Sequence, residues 1–223
     1  MTTRKIVAIN GSPRKNFNTA ALLQSFLDGA KSVDENIEVK MIHLYDYKFT
    51  GCRECYLCKM RDGKFYGKCG FKDELTDILR EVAEADGIAF GAPVFLGDFG
   101  AQFKAFLERL LFPFTSYSKE GELSIAPKKI PTAVFSAMNM TDDYRSAQYA
   151  GQMNNTINWI GYIFGSQPVT CFATNTYQFK DYSRYAADLW DEADKKVWHE
   201  TQFPKDCERA YEIGRQIASA GLE

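Results

Sequence analysis

The sequence predicts an α/β fold in which helices cover both faces of a doubly wound, parallel sheet of five strands. Apolar runs of strand length alternate along the chain with segments whose apolar residues recur every three or four positions. The 223 residues show no internal repeat, linker or low-complexity run, and a domain of this size can bury a sizeable core. We therefore interpret residues 1–223 as one domain.

The predicted strands are short and apolar enough to lie inside such a sheet. Residues 87–90 are apolar throughout, as expected of a strand that is buried on both faces, whereas residues 37–44 alternate in polarity. In chain order, the predicted strands are residues 6–9, 37–44, 87–90, 131–138 and 169–173.

Helical periodicity fills the intervals between these strands, and a polar residue at the start of a helical stretch is expected to cap it. We expect Asn18 or Thr19 to cap the first helix and Asp73 to cap the second. A polar surface loop is predicted for residues 114–130. The remaining predicted helices end at Pro113, cover residues 149–164, and occupy about residues 183–220 as a C-terminal pair whose second member opens at Pro204.

Charge, hydropathy and histidine content exclude several function classes. The chain carries 27 basic and 29 acidic side chains, a formal charge of −2, which argues against a nucleic-acid-binding protein that relies on a basic face. Its N-terminal apolar run is too short for a secretory signal or a membrane span, so we expect a cytoplasmic protein without a membrane partner. Only two histidines occur, far apart, which disfavours a histidine-based zinc catalytic site.

The loop after the first strand, NGSPRKNFNT at residues 10–19, has the chemistry of a phosphate site. Unpaired amides and the positive end of the dipole at a helix start attract a phosphate. The loop lacks the glycine spacing of a dinucleotide fingerprint, so a terminal phosphomonoester fits better than a pyrophosphate. The alternative is that these residues only turn the chain and cap the helix. The candidate phosphate ligands are Ser12, Arg14, Asn16, Asn18 and Thr19.

A second loop, APVFLGDFG at residues 92–100, is apolar at a strand end where exposed loops are usually polar. In a doubly wound sheet, ligands bind beyond the carboxyl ends of the strands. A flat apolar ring would fit here, with backbone amides near Gly97 meeting its polar rim. Alternatively, these side chains pack on the next helix or on a partner subunit. The candidate ring contacts are Pro93, Val94, Phe95, Leu96 and Gly97.

Together these two loops resemble the flavodoxin-like NAD(P)H-dependent flavin reductase family, which is marked by GSPR-x-x-x-N-T after strand one and A-P-V-F-x-G after strand three. The resemblance spans nearly the whole chain and implies a three-layer, flavodoxin-like fold. It also implies that the first loop holds the phosphate of FMN and that the second lines its ring. By the same resemblance, Met138 and Asn139 of a third loop, AMNMTDDY at residues 137–144, complete the pocket.

The resemblance further implies an FMN-containing oxidoreductase that takes hydride from NAD(P)H and reduces a flavin, a quinone or another small acceptor. The flavin would carry the chemistry, so no catalytic side chain is predicted. The expected partners are a small-molecule acceptor or a redox protein. Family members place the flavin near a subunit boundary, which implies a homo-oligomer, either a dimer or a tetramer.

Four of the six cysteines, Cys52, Cys55, Cys58 and Cys69, fall within residues 51–71. In a reducing compartment such a cluster favours metal binding or redox chemistry over disulfides. The C-x2-C-x2-C spacing resembles the iron-sulfur flavoprotein branch of the same family and implies a possible [4Fe-4S] cluster. The fourth cysteine follows after ten residues, a wider gap than in that branch.

Two other interpretations of these cysteines stay open. Tetrahedral zinc also accepts four cysteines, although structural zinc sites normally supply them as two separated pairs. The thiols would otherwise be unmetallated and line a substrate lid beside the flavin. A cluster would favour a second function for the chain, that of an electron carrier served by a ferredoxin-like partner. The isolated Cys171 and Cys207 are expected to be buried thiols.

Overall fold

The computed structural model describes residues 3–220. Its five parallel strands are β1 Arg4–Asn10, β2 Ile37–His43, β3 Gly87–Phe95, β5 Thr132–Ala137 and β6 Val169–Ala173, in the spatial order β2-β1-β3-β5-β6. This is the order of flavodoxin-like sheets, with its reversal between β1 and β3. The predicted five-stranded, doubly wound sheet is confirmed. An additional short strand, β4 Asp98–Phe99, pairs antiparallel with the end of β3 and was not predicted.

The register of the central strands brings their carboxyl ends level. Asn10 is paired with His43 of β2 on one side and with Gly91 of β3 on the other. On the next pair, Pro93 lies opposite Ala137 of β5, and Ala137 lies opposite Ala173 of β6. The loops that follow these residues therefore leave the sheet along one edge.

Helices cover both faces of the sheet and complete two apolar clusters. One cluster packs helices α2 (Thr76–Glu84), α3 (Ala101–Leu111) and α5 (Ala150–Phe164) on the sheet, and the other packs α1 (Asn18–Lys31) and α7 (Phe203–Ser219) on the opposite face. No helix between residues 3 and 220 is both long enough and apolar enough to cross a membrane. The helices are α1 Asn18–Lys31, α2 Thr76–Glu84, α3 Ala101–Leu111, α4 Asp142–Tyr144, α5 Ala150–Phe164, α6 Glu192–Thr201 and α7 Phe203–Ser219.

Helices α1 and α7 are in backbone contact because a glycine faces the partner helix on each side. A Cβ atom at Gly29 would lie 1.9 Å from the carbonyl oxygen of Tyr211, and one at Gly214 would lie 1.9 Å from that of Phe26. No larger residue fits at either position without separating the helices. The C-terminal helix thereby fixes the position of α1.

Several predicted boundaries are wrong at their ends. The N-cap of α1 is Phe17, not Asn18 or Thr19. The N-cap of α2 is Leu75, two residues after the predicted Asp73, whose side-chain oxygen accepts from the amide of Leu75 at 3.0 Å. The C-terminal pair starts at residue 192 instead of about 183, because the Asp191 side chain accepts from the amides of Ala193 and Asp194 and caps α6 there.

Candidate functional site

The loops that leave the carboxyl edge of the sheet surround a cavity of about 110 Å³. They follow β1, β3, β5 and β6, so every parallel strand except β2 contributes a loop to its wall. The cavity lies beside the point where the strand order reverses, which is where doubly wound folds bind their ligands. Its lining residues are Ser12, Pro13, Arg14, Phe17, Asn18, Thr19, Pro93, Val94, Phe95, Ala137, Met138, Asn139, Thr176 and Gln178.

The first turn of the loop after β1 is held by a buried asparagine at the end of that strand. The side-chain oxygen of Asn10 accepts from the amide of Ser12 at 2.9 Å, and its Nδ2 lies 3.0 Å from Nδ1 of His43. Ser12 Oγ in turn accepts from the amide of Arg14 at 3.2 Å. Burial, followed by the charge of Lys15, lowers the pKa of His43 and favours the neutral ring. Because Asn10 Nδ2 is a donor, Nδ1 of that ring is the acceptor of this contact.

At the amino end of α1, no side chain at the N-cap accepts a hydrogen bond from the first amides of the helix. Phe17 is the N-cap, it has no polar side-chain atom, and the first turn contains no acidic residue. The first amides of a helix have no partner inside the helix, so they present donors together with the positive end of the dipole. Asn18 and Thr19 are buried beside them. This end of α1 therefore suits an external anion such as a phosphate.

Arg14 and Asn18 are oriented by the segment after β6. Arg14 stacks on Phe17, with Cζ 3.8 Å from the ring centroid, and donates to the carbonyl oxygen of Gln178 at 2.7 Å. Asn18 Nδ2 donates to the carbonyl oxygen of Tyr177 at 3.0 Å. Partial burial lowers the pKa of Arg14, but a guanidinium stays charged at neutral pH. Both side chains keep further donors free for a ligand.

The turn between β3 and β4 is strained and apolar. Leu96 has a φ of +53°, a conformation that residues other than glycine rarely adopt, and Gly97 follows with a φ of +83°. The Leu96 side chain is fully exposed at this turn, and Phe95 is 53 % exposed. Strain of this kind persists where the surrounding structure fixes it, often at ligand sites.

The structure brings most of the predicted cofactor residues together. Of the residues predicted from the sequence, Ser12, Arg14, Asn18, Thr19, Pro93, Val94, Phe95, Met138 and Asn139 line the cavity, whereas Asn16, Leu96 and Gly97 do not. Thr176 and Gln178 were missed, although they follow a predicted strand and the rule for carboxyl ends points to them. The side-chain oxygen of Asn139 is buried without a hydrogen-bond partner among the described residues. An unpaired acceptor of this kind is satisfied when a ligand supplies a donor.

The four clustered cysteines line one small cavity beside the C-terminal end of α3, and none of them lines the cavity beyond the strand ends. Cys52 and Cys55 are exposed, Cys69 is half-buried, Cys58 is buried, and all four are free thiols. Glu54 and Tyr56 have positive φ angles, so the chain turns sharply between the first three cysteines.

Cationic side chains surround these thiols. Arg109 Nε donates to Cys69 Sγ at 3.4 Å, and Lys59 Nζ donates to the carbonyl oxygens of Phe112 and Thr115 at 2.5 Å each. Burial raises the pKa of Cys58, while the charge of Lys59 opposes this rise. Cations beside thiols favour the thiolate, which is the form that binds metal.

The cysteine cavity has a volume of about 20 Å³ and is lined by all four clustered thiols. Within residues 3–220, no three His, Cys, Asp or Glu side chains are placed to hold one metal ion. Zinc would require its four sulfurs at about 2.3 Å from a single point. A four-iron cluster instead binds its four thiolates at four separate corners, and the four cysteines that line one cavity supply that number of sulfurs. The donor set and the nearby cations are therefore compatible with [4Fe-4S].

Comparison with known proteins identifies relatives of this chain. The sequence matches the model of the NADPH-dependent FMN reductase family over residues 4–124. An iron-sulfur flavoprotein of Methanocaldococcus jannaschii is 37 % identical over 105 residues, which are 47 % of this chain and 51 % of that protein. The chain thus matches about half the length of its curated relatives.

Among solved structures, an azoreductase from Bacillus anthracis superposes with a TM-score of 0.65 at 16 % identity, covering 96 % of this chain and 99 % of that one. An FMN-dependent NADH-azoreductase from the same species, solved in complex with FMN, gives a TM-score of 0.63 at 14 % identity over 97 % of this chain and 98 % of that one. Likeness at such low identity establishes the shared fold.

Proposed function

This chain belongs to the NADPH-dependent FMN reductase family, and from that premise we propose that it is an FMN-dependent oxidoreductase that uses NAD(P)H as its electron donor. The observation that carries the proposal is the amino end of α1, which is open, uncapped by any side chain and directed at the cavity beyond β1 and β3. Its donors suit the phosphate of a mononucleotide.

In this proposal the loops divide the work of binding. Ser12, Asn18 and Thr19, with the helix amides and the charge of Arg14, would hold the phosphate. Pro93 to Phe95 would cover the ring, and the unpaired carboxamide oxygen of Asn139 would accept a hydrogen bond from its polar rim. When bound, the flavin supplies the transfer of electrons between the nicotinamide and the acceptor.

The chain itself contributes orientation and exclusion of water. The polypeptide presents no histidine or carboxylate among the lining residues, so proton transfer by a side chain is not part of the proposed chemistry. Hydride transfer depends on holding the two rings in contact more than on acid-base groups. The acceptor class is open to quinones, nitro compounds, free flavin and, by the names of the structural neighbours, azo compounds.

Flavin retention in two variants tests the phosphate assignment. Arg14→Ala and Thr19→Val should each weaken FMN binding roughly tenfold or more, because each removes a hydrogen bond to a charged group. The matched control is Lys128→Ala, since Lys128 pairs with Asp86 outside the phosphate loop. Unchanged affinity in both test variants, measured by flavin fluorescence, would overturn the assignment.

A second candidate function is that of an electron carrier that contains a [4Fe-4S] cluster. It is favoured by the four cysteines that line one cavity beside Arg109 and Lys59, and by the names of the iron-sulfur flavoproteins among its relatives. The exposed Cys52 and Cys55 would place one side of the cluster at the surface, where a redox protein can reach it.

Anaerobic purification separates the two functions. About four irons per chain together with flavin would support the cluster, and their absence would leave a simple flavoprotein. Steady-state oxidation of NADH or NADPH supports the oxidoreductase, whereas reduction only by a reduced ferredoxin supports the carrier. We expect a cytoplasmic homo-oligomer in either case, in which the exposed Phe95 and Leu96 are covered by a second subunit.

A further inference from the structure

Helix α6 is attached to the body of the protein in an unusual way. Among the described residues, it buries a single side chain, and that side chain is Lys195, which is 2 % exposed. Its larger apolar residues, Val197 and Trp198, are 58 % and 38 % exposed. Surface helices normally dock through an apolar stripe, and lysine is almost never fully buried without a reason.

The ammonium group of Lys195 joins the two loops that form one wall of the proposed flavin cavity. Nζ donates to the carbonyl oxygen of Asn139, after β5, at 2.9 Å, and to Oδ1 of Asn175, after β6, at 2.8 Å. Asn175 has a φ of +49°, and its amide donates to the carbonyl oxygen of Met140 at 2.7 Å. Lys195 thus stabilises a strained connection whose neighbours, Asn139 and Thr176, line the cavity.

The positive charge of Lys195 has no ion-pair partner in the part of the chain that the structure describes. The loops present only a carbonyl and a carboxamide oxygen to it, and the Trp190 ring centroid lies 5.0 Å away. Asp194, on its own helix, is the one acidic group that raises its pKa. Burial outweighs this effect and lowers the pKa of Lys195 to about 8. A buried, unpaired cation is costly to a protein unless an anionic partner arrives.

We propose that Lys195 is a positioning residue for the flavin: its buried ammonium holds Asn139 and Asn175 in place and puts a positive charge directly behind the cavity wall. The inference rests on the proposed FMN site. The ammonium fixes the main chain that carries the Asn139 carboxamide at the cavity, and its charge makes the flavin easier to reduce, because a nearby cation stabilises the electron-rich ring. No residue of α6 needs to touch the flavin for either effect.

The test compares Lys195→Met and Lys195→Gln with Lys196→Met, which removes the neighbouring exposed lysine of the same helix. Both Lys195 variants should lower the flavin midpoint potential, measured by redox titration at pH 7. The Met variant should also weaken FMN binding about tenfold, the scale of one lost charge-assisted hydrogen bond, and the Gln variant less, since it keeps a donor. Lys196→Met should change neither quantity.

The wild-type protein supplies an independent measurement. Lys195 loses its proton near pH 8. Between pH 7 and 9, the flavin midpoint potential of the wild-type protein should therefore fall by more than that of Lys195→Gln, and the two potentials should converge. If the Lys195 variants fail to fold, the wild-type pH profile is compared with that of free FMN, and a steeper fall of the wild-type potential decides. Wild-type potential and affinity in Lys195→Met, or a wild-type profile without the additional fall, would overturn the inference. Failure of the wild-type chain to bind FMN would instead overturn the proposed function.

Discussion

The two candidate sites of this protein are attached to its core by different means. The flavin cavity is built from the ends of strands, and main-chain hydrogen bonds such as that from Gly11 to Gly91, at 2.7 Å, fix its loops to the sheet. A buried ammonium, that of Lys195, supports one wall of this cavity in addition, whereas the cysteine loop, residues 51–71, is held at both of its ends by a charged side chain. Arg109 of α3 contacts the carbonyl oxygens of Thr50 and Phe71, at the two ends of this loop.

This difference indicates how each site responds to its cofactor and to conditions. A site that continues from the strands is formed by the same interactions that form the sheet, so it is prepared before the ligand arrives. A loop held by a buried cation depends on a few electrostatic contacts, and the removal of one partner leaves a charge without compensation. We therefore expect the cysteine loop to be the more sensitive of the two sites to substitution and to loss of metal.

The largest expected effect is on iron content. If the chain carries the proposed cluster, Cys58→Ser should remove nearly all bound iron while leaving FMN affinity unchanged, because a four-iron cluster requires four thiolates and the flavin cavity contains none of them. Cys207→Ser, outside the cysteine loop, is the matched control and should retain iron. Iron analysis after anaerobic purification measures both. Equal iron in the two variants would contradict the assignment of Cys58 as a ligand.

The second effect is on the stability of the protein. Asp73 forms a buried ion pair with Arg109, whose side chain is 1 % exposed. Burial alone would lower the pKa of Arg109, but its bonds to Asp73 and Cys69 raise it. Asp73→Ala should therefore lower the free energy of unfolding by about 3–5 kcal/mol, since it leaves a buried charge unpaired.

The control for this variant is Asp77→Ala. Asp77 pairs with Arg80 on the surface of α2, where both side chains are more than two-thirds exposed, so its removal should lower stability by less than about 1 kcal/mol. Chemical denaturation of the two variants, without added metal, provides the comparison. Similar losses in both would mean that Arg109 does not anchor the loop.

The sequence predicts the strands and the loops at their ends better than it predicts the helix caps and the buried charged side chains. The five parallel strands and the loops at their ends follow from apolar runs and from the general rule for ligand sites in doubly wound sheets. The N-cap at Phe17 could not be predicted, because phenylalanine is not a preferred capping residue, whereas the neighbouring Asn18 is one but lies inside the helix and donates its Nδ2 to the carbonyl oxygen of Tyr177. The burial of Arg109 and Lys195 could not be predicted either, because charged residues are normally exposed and only the tertiary contacts show that these two are buried.

The third prediction concerns a substitution that places a negative charge at the amino end of α1. Phe17→Asp should place a carboxylate over the first amides of α1, raise the stability of the flavin-free protein by about 1 kcal/mol, and weaken FMN binding at least roughly tenfold. Phe17→Leu controls for loss of the Arg14 stacking without adding an acceptor. Thermal unfolding and flavin titration give the two quantities. If the Asp variant binds FMN as tightly as the Leu variant, the phosphate does not occupy this helix end.

The smallest expected effect is a pH dependence of FMN binding at the flavin cavity. The pKa of His43 is lowered by burial and by Lys15, against the opposing charge of Asp46, so the folded state favours the neutral ring. A group with a lowered pKa contributes stability that is fully present above its unfolded value of about 6.5 and is lost as the pH falls through the folded value. Protonation would turn Nδ1 into a donor facing Asn10 Nδ2.

Asn10 would then have to rotate its carboxamide, and the amide of Ser12 would lose its acceptor. We expect FMN binding to weaken by less than about tenfold below pH 6, the scale of one neutral hydrogen bond. His43→Gln should remove this pH dependence, whereas His199→Gln, at the only other histidine, should retain it. Flavin titrations between pH 5 and 8 on the three proteins provide the test. A pH profile that follows His199 instead would show that the first turn of the phosphate loop does not depend on the Asn10–His43 contact.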